Sequence, residues 1–281
     1  MTEIQRIRVN GTELAYIEEG EGPLVVLCHG FPDTAHSWDR VRPVLAAAGY
    51  RAVTPFMRGY APSPVPHDRR YGADTLGEDV VRFTDALAHG EPAVVVGHDW
   101  GASAAYSAVG LASAKFRLLV AIAIPHPAGV RPTPKLLWAV RHFVAFRMPG
   151  AADRIRRDDF ALIDELVQRW SPDWDVPPGE TDAVKEAFRQ PGCLEAALGY
   201  YRALGLGIPR SQRRRVDVPT VCFAGLNDIV APRQYDYAAS RFNDTYEVIR
   251  MPGGHFMHRE HPERFERELL DALARHAPVD D

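Results

Sequence analysis

The stretch GHDWG, residues 97–101, follows the apolar run PAVVV (92–96) and leads into the alanine-rich ASAAYSAVGLASA (102–114). A short apolar run closed by glycine reads as a strand buried on both faces, and the segment after the turn reads as a helix. Between them, two glycines bracket a sharp turn that packs helix close to strand and holds its central residue at the apex in a strained conformation. The apex residue is Asp99. What this turn presents is a carboxylate.

Working outward, the same rhythm repeats. QRIRV (5–9) and TELAYIEE (12–19) flank Asn10-Gly11, a dipeptide suited to a tight hairpin. PLVVLCHG (23–30), YRAVTPFM (50–57) and FRLLVAIAIPH (116–126) read as strands, with helices over SWDRVRPVLAAAG (37–49) and TLGEDVVRFTDALAHG (75–90). The alternation resumes at VPTVCFAGLND (218–228), YDYAASRF (235–242), TYEVIRMPGG (245–254) and PERFERELLDALARHA (262–277). This predicts an α/β fold with a mostly parallel sheet covered by helices. From Pro127 to about Val216 the rhythm gives way to helical patterns: PKLLWAVRHFVAFR, DDFALIDELVQRW, DAVKEAFRQ and CLEAALGYYRAL. The expected organisation is core over 1–126, an inserted helical cap over 127–215, and core again over 216–281.

Composition is that of an ordinary globular enzyme, with 46% hydrophobic and 25% charged residues in 281. A net charge of −4 gives no reason to expect nucleic acid or an anionic membrane as partner. The Arg-rich RSQRRR (210–215) reads as a solvated loop where the insertion rejoins the core. No run reaches the length of a membrane span, and MTEIQRIRVNG lacks the apolar stretch of a secretion signal. Cys28, Cys193 and Cys222 are unpatterned, which fits buried free thiols in a reducing cytoplasm. His255, His258 and His261 mimic metal spacing, but no metal and no cofactor is expected.

Three acidic or basic residues fall at predicted strand ends: Asp99 after PAVVV, Asp228 after PTVCFAG, and His255 after YEVIRMPGG. Ligands of open α/β sheets bind at those ends. HGFP (29–32), RGYAPS (58–63), GHDWG, YYRAL (200–204), LND (226–228) and GGHF (253–256) together resemble the α/β-hydrolase superfamily, and within it the epoxide hydrolases. The resemblance covers nearly the whole chain. It implies an α/β-hydrolase fold with a cap, Asp99 as nucleophile, His255 as water-activating base and Asp228 as its orienting partner. The backbone N–H groups of Phe31 and Trp100 are implied as the oxyanion hole.

An aspartate suits a substrate without a carbonyl. It attacks an sp³ carbon without first losing a proton, and water then cleaves the resulting ester at the carboxyl carbon. The ring oxygen needs a donor, and the resemblance implies two lid residues for it. Tyr201 matches one. The other, usually tyrosine, is His142 here, whose working protonation state is left open. Tyr200 is expected to face elsewhere. His29 and His98 are expected to hold loop geometry, and Trp38 and Trp138 to line a pocket or pack.

The expected substrate is therefore a small hydrophobic epoxide with water, and the assembly leaves room for a homodimer. A haloalkane-dehalogenase-type reaction resembles the same chemistry but needs a second halide donor, for which Trp138 is a candidate. A halo-acid substrate is argued against by Trp100 and Ser103, where the corresponding enzymes carry arginines. A non-catalytic binding protein on this fold is the third reading. Phe56 and Ala61, where Asp and Gly are common, are expected to serve the pocket side or the packing.

Overall fold

The computed structural model describes residues 3–205 and 207–279. Its strands are β1 (Gln5–Val9), β2 (Thr12–Glu19), β3 (Leu24–Cys28), β4 (Arg51–Pro55), β5 (Ala93–His98), β6 (Phe116–Ile122), β7 (Thr220–Gly225) and β8 (Tyr246–Met251). They form one sheet in the order β1-β2-β4-β3-β5-β6-β7-β8. β2 runs antiparallel to β1 and β4, and the remaining pairs are parallel. The Asn10-Gly11 turn closes the first hairpin with both residues at positive φ, 45° and 73°.

Alternation within each central strand sorts the core into two layers. Val26 and Cys28 of β3 and Val95 of β5 join one cluster, while Val25, Leu27, Val94 and Val96 join the other. Helices α2 (Ala73–Leu87) and α3 (Trp100–Ala112) cover the first face. Helices α1 (Val41–Ala47) and α11 (Pro262–His276) cover the second. The small residues of α3 allow close approach to α2: a Cβ on Gly77 would lie 2.5 Å from that of Ser107.

Between β6 and β7 lie, among the described residues, the α-helices α4 (Pro134–Ala139), α5 (His142–Arg147), α6 (Ala151–Trp170), α7 (Asp182–Arg189) and α8 (Cys193–Arg202). After β7 come α9 (Arg233–Ala238) and α10 (Met257–Glu260). Two of the expected helical patterns change shape. PKLLWAVRHFVAFR is broken at Val140-Arg141, which re-aims α5 so that His142 and Phe146 are buried while Leu137 and Trp138 stay exposed. The helix expected from Asp158 begins instead at Ala151, after Gly150 at φ 73°, and bends at Arg157–Phe160. No helix among the described residues is long and apolar enough to cross a membrane.

The chain winds in opposite directions from β3, to β4 on one side and β5 on the other. Loops leaving β3 and β5 therefore meet at a topological switch point. The cap sits there, since Phe31 packs on Phe146, Phe188 and Tyr201, and Trp100 packs on Tyr201.

Candidate active site

Asp99 occupies the turn between β5 and α3 at φ 50° and ψ −116°. Bare backbone surrounds it. A Cβ on Gly101 would lie 2.2 Å from the Cys28 carbonyl oxygen, and one on Gly30 would lie 2.4 Å from the Cβ of Asp99. The Phe31 N–H donates to Asp99 Oδ1 at 2.9 Å. The Trp100 N–H opens α3, one of the four amides that lack an intrahelical acceptor.

His255, four residues beyond β8, brings Nε2 to 3.5 Å from Asp99 Oδ2 and Nδ1 to 3.1 Å from Asp228 Oδ1. Asp228 follows β7, and its side chain is wholly buried. Burial would lower the His255 pKa, but the charge and hydrogen bond of Asp228, reinforced by Asp99, raise it to about 10. Burial likewise opposes ionisation of Asp99, yet the facing His255, with His98 and the Phe31 N–H, holds its pKa below the ordinary carboxylate value. His255 thus sits between two carboxyl groups, an arrangement that favours its protonated form.

On the cap side, His142 and Tyr201 pack together with ring centroids 5.9 Å apart. Burial lowers the His142 pKa to about 4 despite the nearby Asp99 charge, leaving a neutral ring. Burial and the same negative charge push the Tyr201 hydroxyl well above its ordinary value, so it remains a proton donor. Tyr200 turns away, donating to the Arg58 carbonyl at 2.8 Å.

A cavity of about 360 Å³ reaches Asp99 and Trp100 and is walled by Ile124, Val130, Leu136, Val140, Phe143, Leu204 and Val230. Its lining is predominantly apolar. His142 and Tyr201 are not among the lining residues; they pack against two that are, Phe143 and Trp100.

Sequence reasoning missed one residue. Trp170, the last residue of α6, lies 4.7 Å from His142 and 5.3 Å from His255 between ring centroids. Its indole N–H, like that of Trp100, is buried without a partner among the described residues. The only signal was its place at the end of an amphipathic pattern. Trp138, by contrast, is 71% exposed and contributes nothing to the cavity, and Trp38 is fully buried against His258.

The other histidines stay structural. The His29 ring bridges the Gly30 carbonyl and the Met57 N–H, and His98 Nε2 donates to the His255 carbonyl. Burial lowers their pKa values to about 4 and about 3. The spacing His255, His258, His261 does not converge: His261 lies half-exposed beside Glu260. Asp33, His98 and His258 do bring ligand atoms within 4.8 Å of one another. The Asp33 carboxylate, however, is already engaged by Arg259 at 2.8 Å and the Thr34 N–H at 2.9 Å. Phe56 packs with Ala15, Ile17 and Ala35, and the Ala61 N–H meets Cys193 Sγ, so both serve packing. All three cysteines are free and buried.

Comparison with known proteins agrees with this geometry. The alpha/beta hydrolase fold family matches residues 23–262. The chain is 30% identical to the AB hydrolase superfamily protein YfhM of Bacillus subtilis, across 96% of this chain and 97% of that one. It is 26% identical to epoxide hydrolase A of Mycobacterium tuberculosis, across 95% and 96%. A solved mutant of an epoxide hydrolase from Bacillus megaterium superposes with a TM-score of 0.84 at 25% identity, covering 96% of this chain and 99% of that one. With its switch-point turn, its inserted cap and these relatives, the chain belongs to the alpha/beta hydrolase fold family, on its epoxide hydrolase branch.

Proposed function

We propose that the protein hydrolyses small hydrophobic epoxides to vicinal diols through an ester on Asp99. The observation that carries this is a carboxylate at the apex of the turn, facing both the Phe31 N–H and the His255 imidazole. Asp99 attacks a ring carbon, the C–O bond of the epoxide breaks, and the ring oxygen takes a proton from the Tyr201–His142 pair. Esterification removes one of the two negative charges holding the His255 proton. His255 then releases it more readily, restoring through solvent the proton that the Tyr201–His142 pair gave up, and the neutral imidazole serves as base for the water that attacks the Asp99 carboxyl carbon. The oxyanion formed there is held by the amides of Phe31 and Trp100. The apolar cavity favours a hydrophobic epoxide, and the three buried thiols fit a cytoplasmic setting.

A second reading, carbon–halogen hydrolysis, is favoured by the two unpartnered indole N–H groups of Trp100 and Trp170. One experiment separates the two. His255→Gln protein incubated with a styrene-oxide-like epoxide should gain the mass of the epoxide, and the gain should vanish when Asp99→Ala is added. A gain with a haloalkane alone would transfer the assignment to the second reading, and no gain with either would sink both. Tyr201→Phe should slow epoxide turnover by about 10²–10⁴-fold and halide turnover far less.

A further inference from the structure

The cap carries a surface that this chemistry does not use. On α4, on α5 and just after it, Leu137, Trp138, Val144 and Met148 are exposed by 62%, 71%, 67% and 52%. The other exposed large apolar residues, Ile4, Leu111, Leu226 and Val279, are scattered along the chain. Four such residues within twelve positions of one segment point to an interaction surface.

Its surroundings are positive. No acidic residue occurs from Trp100 to Ala152, a span that holds Arg131, Lys135, Arg141 and Arg147 around the apolar cluster. Among the described residues none of these four is in an ion pair; Arg141 lies over the Trp138 ring, 4.5 Å from its centroid, and Arg131 over that of Tyr237 at 4.2 Å. A second basic strip, Arg210, Arg213, Arg214 and Arg215, is exposed and likewise without an acidic partner among the described residues. It follows Ile208 and Pro209, which line the same cavity as Leu136 and Leu137. Two stretches that contribute to the cavity lining thus carry cations without an acidic partner among the described residues, in a chain whose net charge is −4. The net charge gave no reason to expect an anionic surface; the distribution of charge argues for one.

We propose that this face of the cap docks on an anionic lipid surface. Trp138, Leu137, Val144 and Met148 enter the headgroup region, while the arginines and Lys135 meet lipid phosphates. Short helices that set apolar side chains among basic ones lie in the plane of such an interface, and an indole is at home there. A second copy of the chain is the poorer occupant, since two such faces would bring like charges together. Nucleic acid would leave the aliphatic side chains without apolar contact. Docking would turn the cavity mouth toward the lipid in which a hydrophobic epoxide dissolves. That consequence rests on the proposed function, but the docking itself does not.

The test uses the full chain and reads binding, not turnover. Trp138 is the exposed tryptophan; Trp38, Trp100, Trp170 and Trp174 are 0%, 6%, 1% and 8% exposed. Vesicles of phosphatidylcholine mixed with phosphatidylglycerol, at low salt, should shift tryptophan emission to the blue and carry the protein into the pellet. Pure phosphatidylcholine should do neither, and added salt should release the protein. Trp138→Ser with Val144→Ser should weaken binding by about tenfold or more. A charge-only variant, Arg213→Gln with Arg214→Gln and Arg215→Gln, should do likewise and keeps the test decisive if the first variant folds poorly. No binding to the mixed vesicles overturns the proposal. So does self-association that the Trp138 and Val144 changes abolish, which would make the face an interface between copies.

Discussion

Two carboxylates and one proton set the state of the resting site. Asp99 and Asp228 together favour the charged form of His255, whereas His142, buried among Trp170, Phe143, Phe146 and Tyr201, is held neutral with a pKa of about 4. A neutral imidazole offers the ring oxygen a hydrogen bond from a fixed N–H, and its contribution does not depend on pH in the neutral range. The ratio of single-turnover alkylation rates, wild type over His142→Gln, should therefore stay level from about pH 5 to about pH 9. A ratio that falls through an apparent pKa in that range would show that the imidazolium does the work. The sequence placed His142 in the cap but could not choose between these states, because burial is a property of the packing around it.

At the scale of elements, the turn from β5 to α3 was legible in GHDWG because its requirement is local: two positions without a side chain. Gly101 illustrates how tight the requirement is, since a Cβ there would lie 2.2 Å from the Cys28 carbonyl oxygen. Gly101→Ala should force α3 away from β3, costing about 1–3 kcal/mol or more in stability and displacing Asp99 from the Phe31 N–H. Thermal melting together with adduct formation would check it, and an unchanged melt with full activity would count against it. RGYAPS is anchored as firmly, Arg58 being buried and paired with Asp79 at 2.6 Å. The cap was less legible. Its helices announce themselves by periodicity, but the break at Val140-Arg141 and the bend at Arg157–Phe160 carry no strong local signal. They follow from which side chains the core loops can receive, Phe31 and Trp100 above all. Trp170 was invisible for the same reason: an aromatic residue closing a helical pattern packs in most proteins, and only the fold brings it beside His255.

The whole molecule keeps an unusual set of neutral histidines in its interior. Burial lowers His29 and His142 to about 4, His98 and His126 to about 3, and His258 well below its ordinary value. Each has a folded pKa below the value near 6.5 of the unfolded chain. Below that pH the unfolded state binds more protons, so stability present above about pH 6.5 is lost as pH falls toward the folded values. His255 works in the opposite direction: its contribution is complete below about 6.5 and disappears as pH rises through about 10. Stability should therefore peak near neutrality, with the urea midpoint dropping steeply between about pH 6.5 and about pH 4.5. His126→Gln should make that drop shallower, and a midpoint level across the range would refute the account. The thiols lead to something more practical. With Cys28 and Cys222 raised to about 12, Cys193 to about 11, and all three sealed from solvent, thiolate chemistry at neutral pH has no foothold on the native fold. One cysteine introduced on the outside would be the sole reactive handle, so a dye or spin label can be attached at a chosen point with every native cysteine left in place.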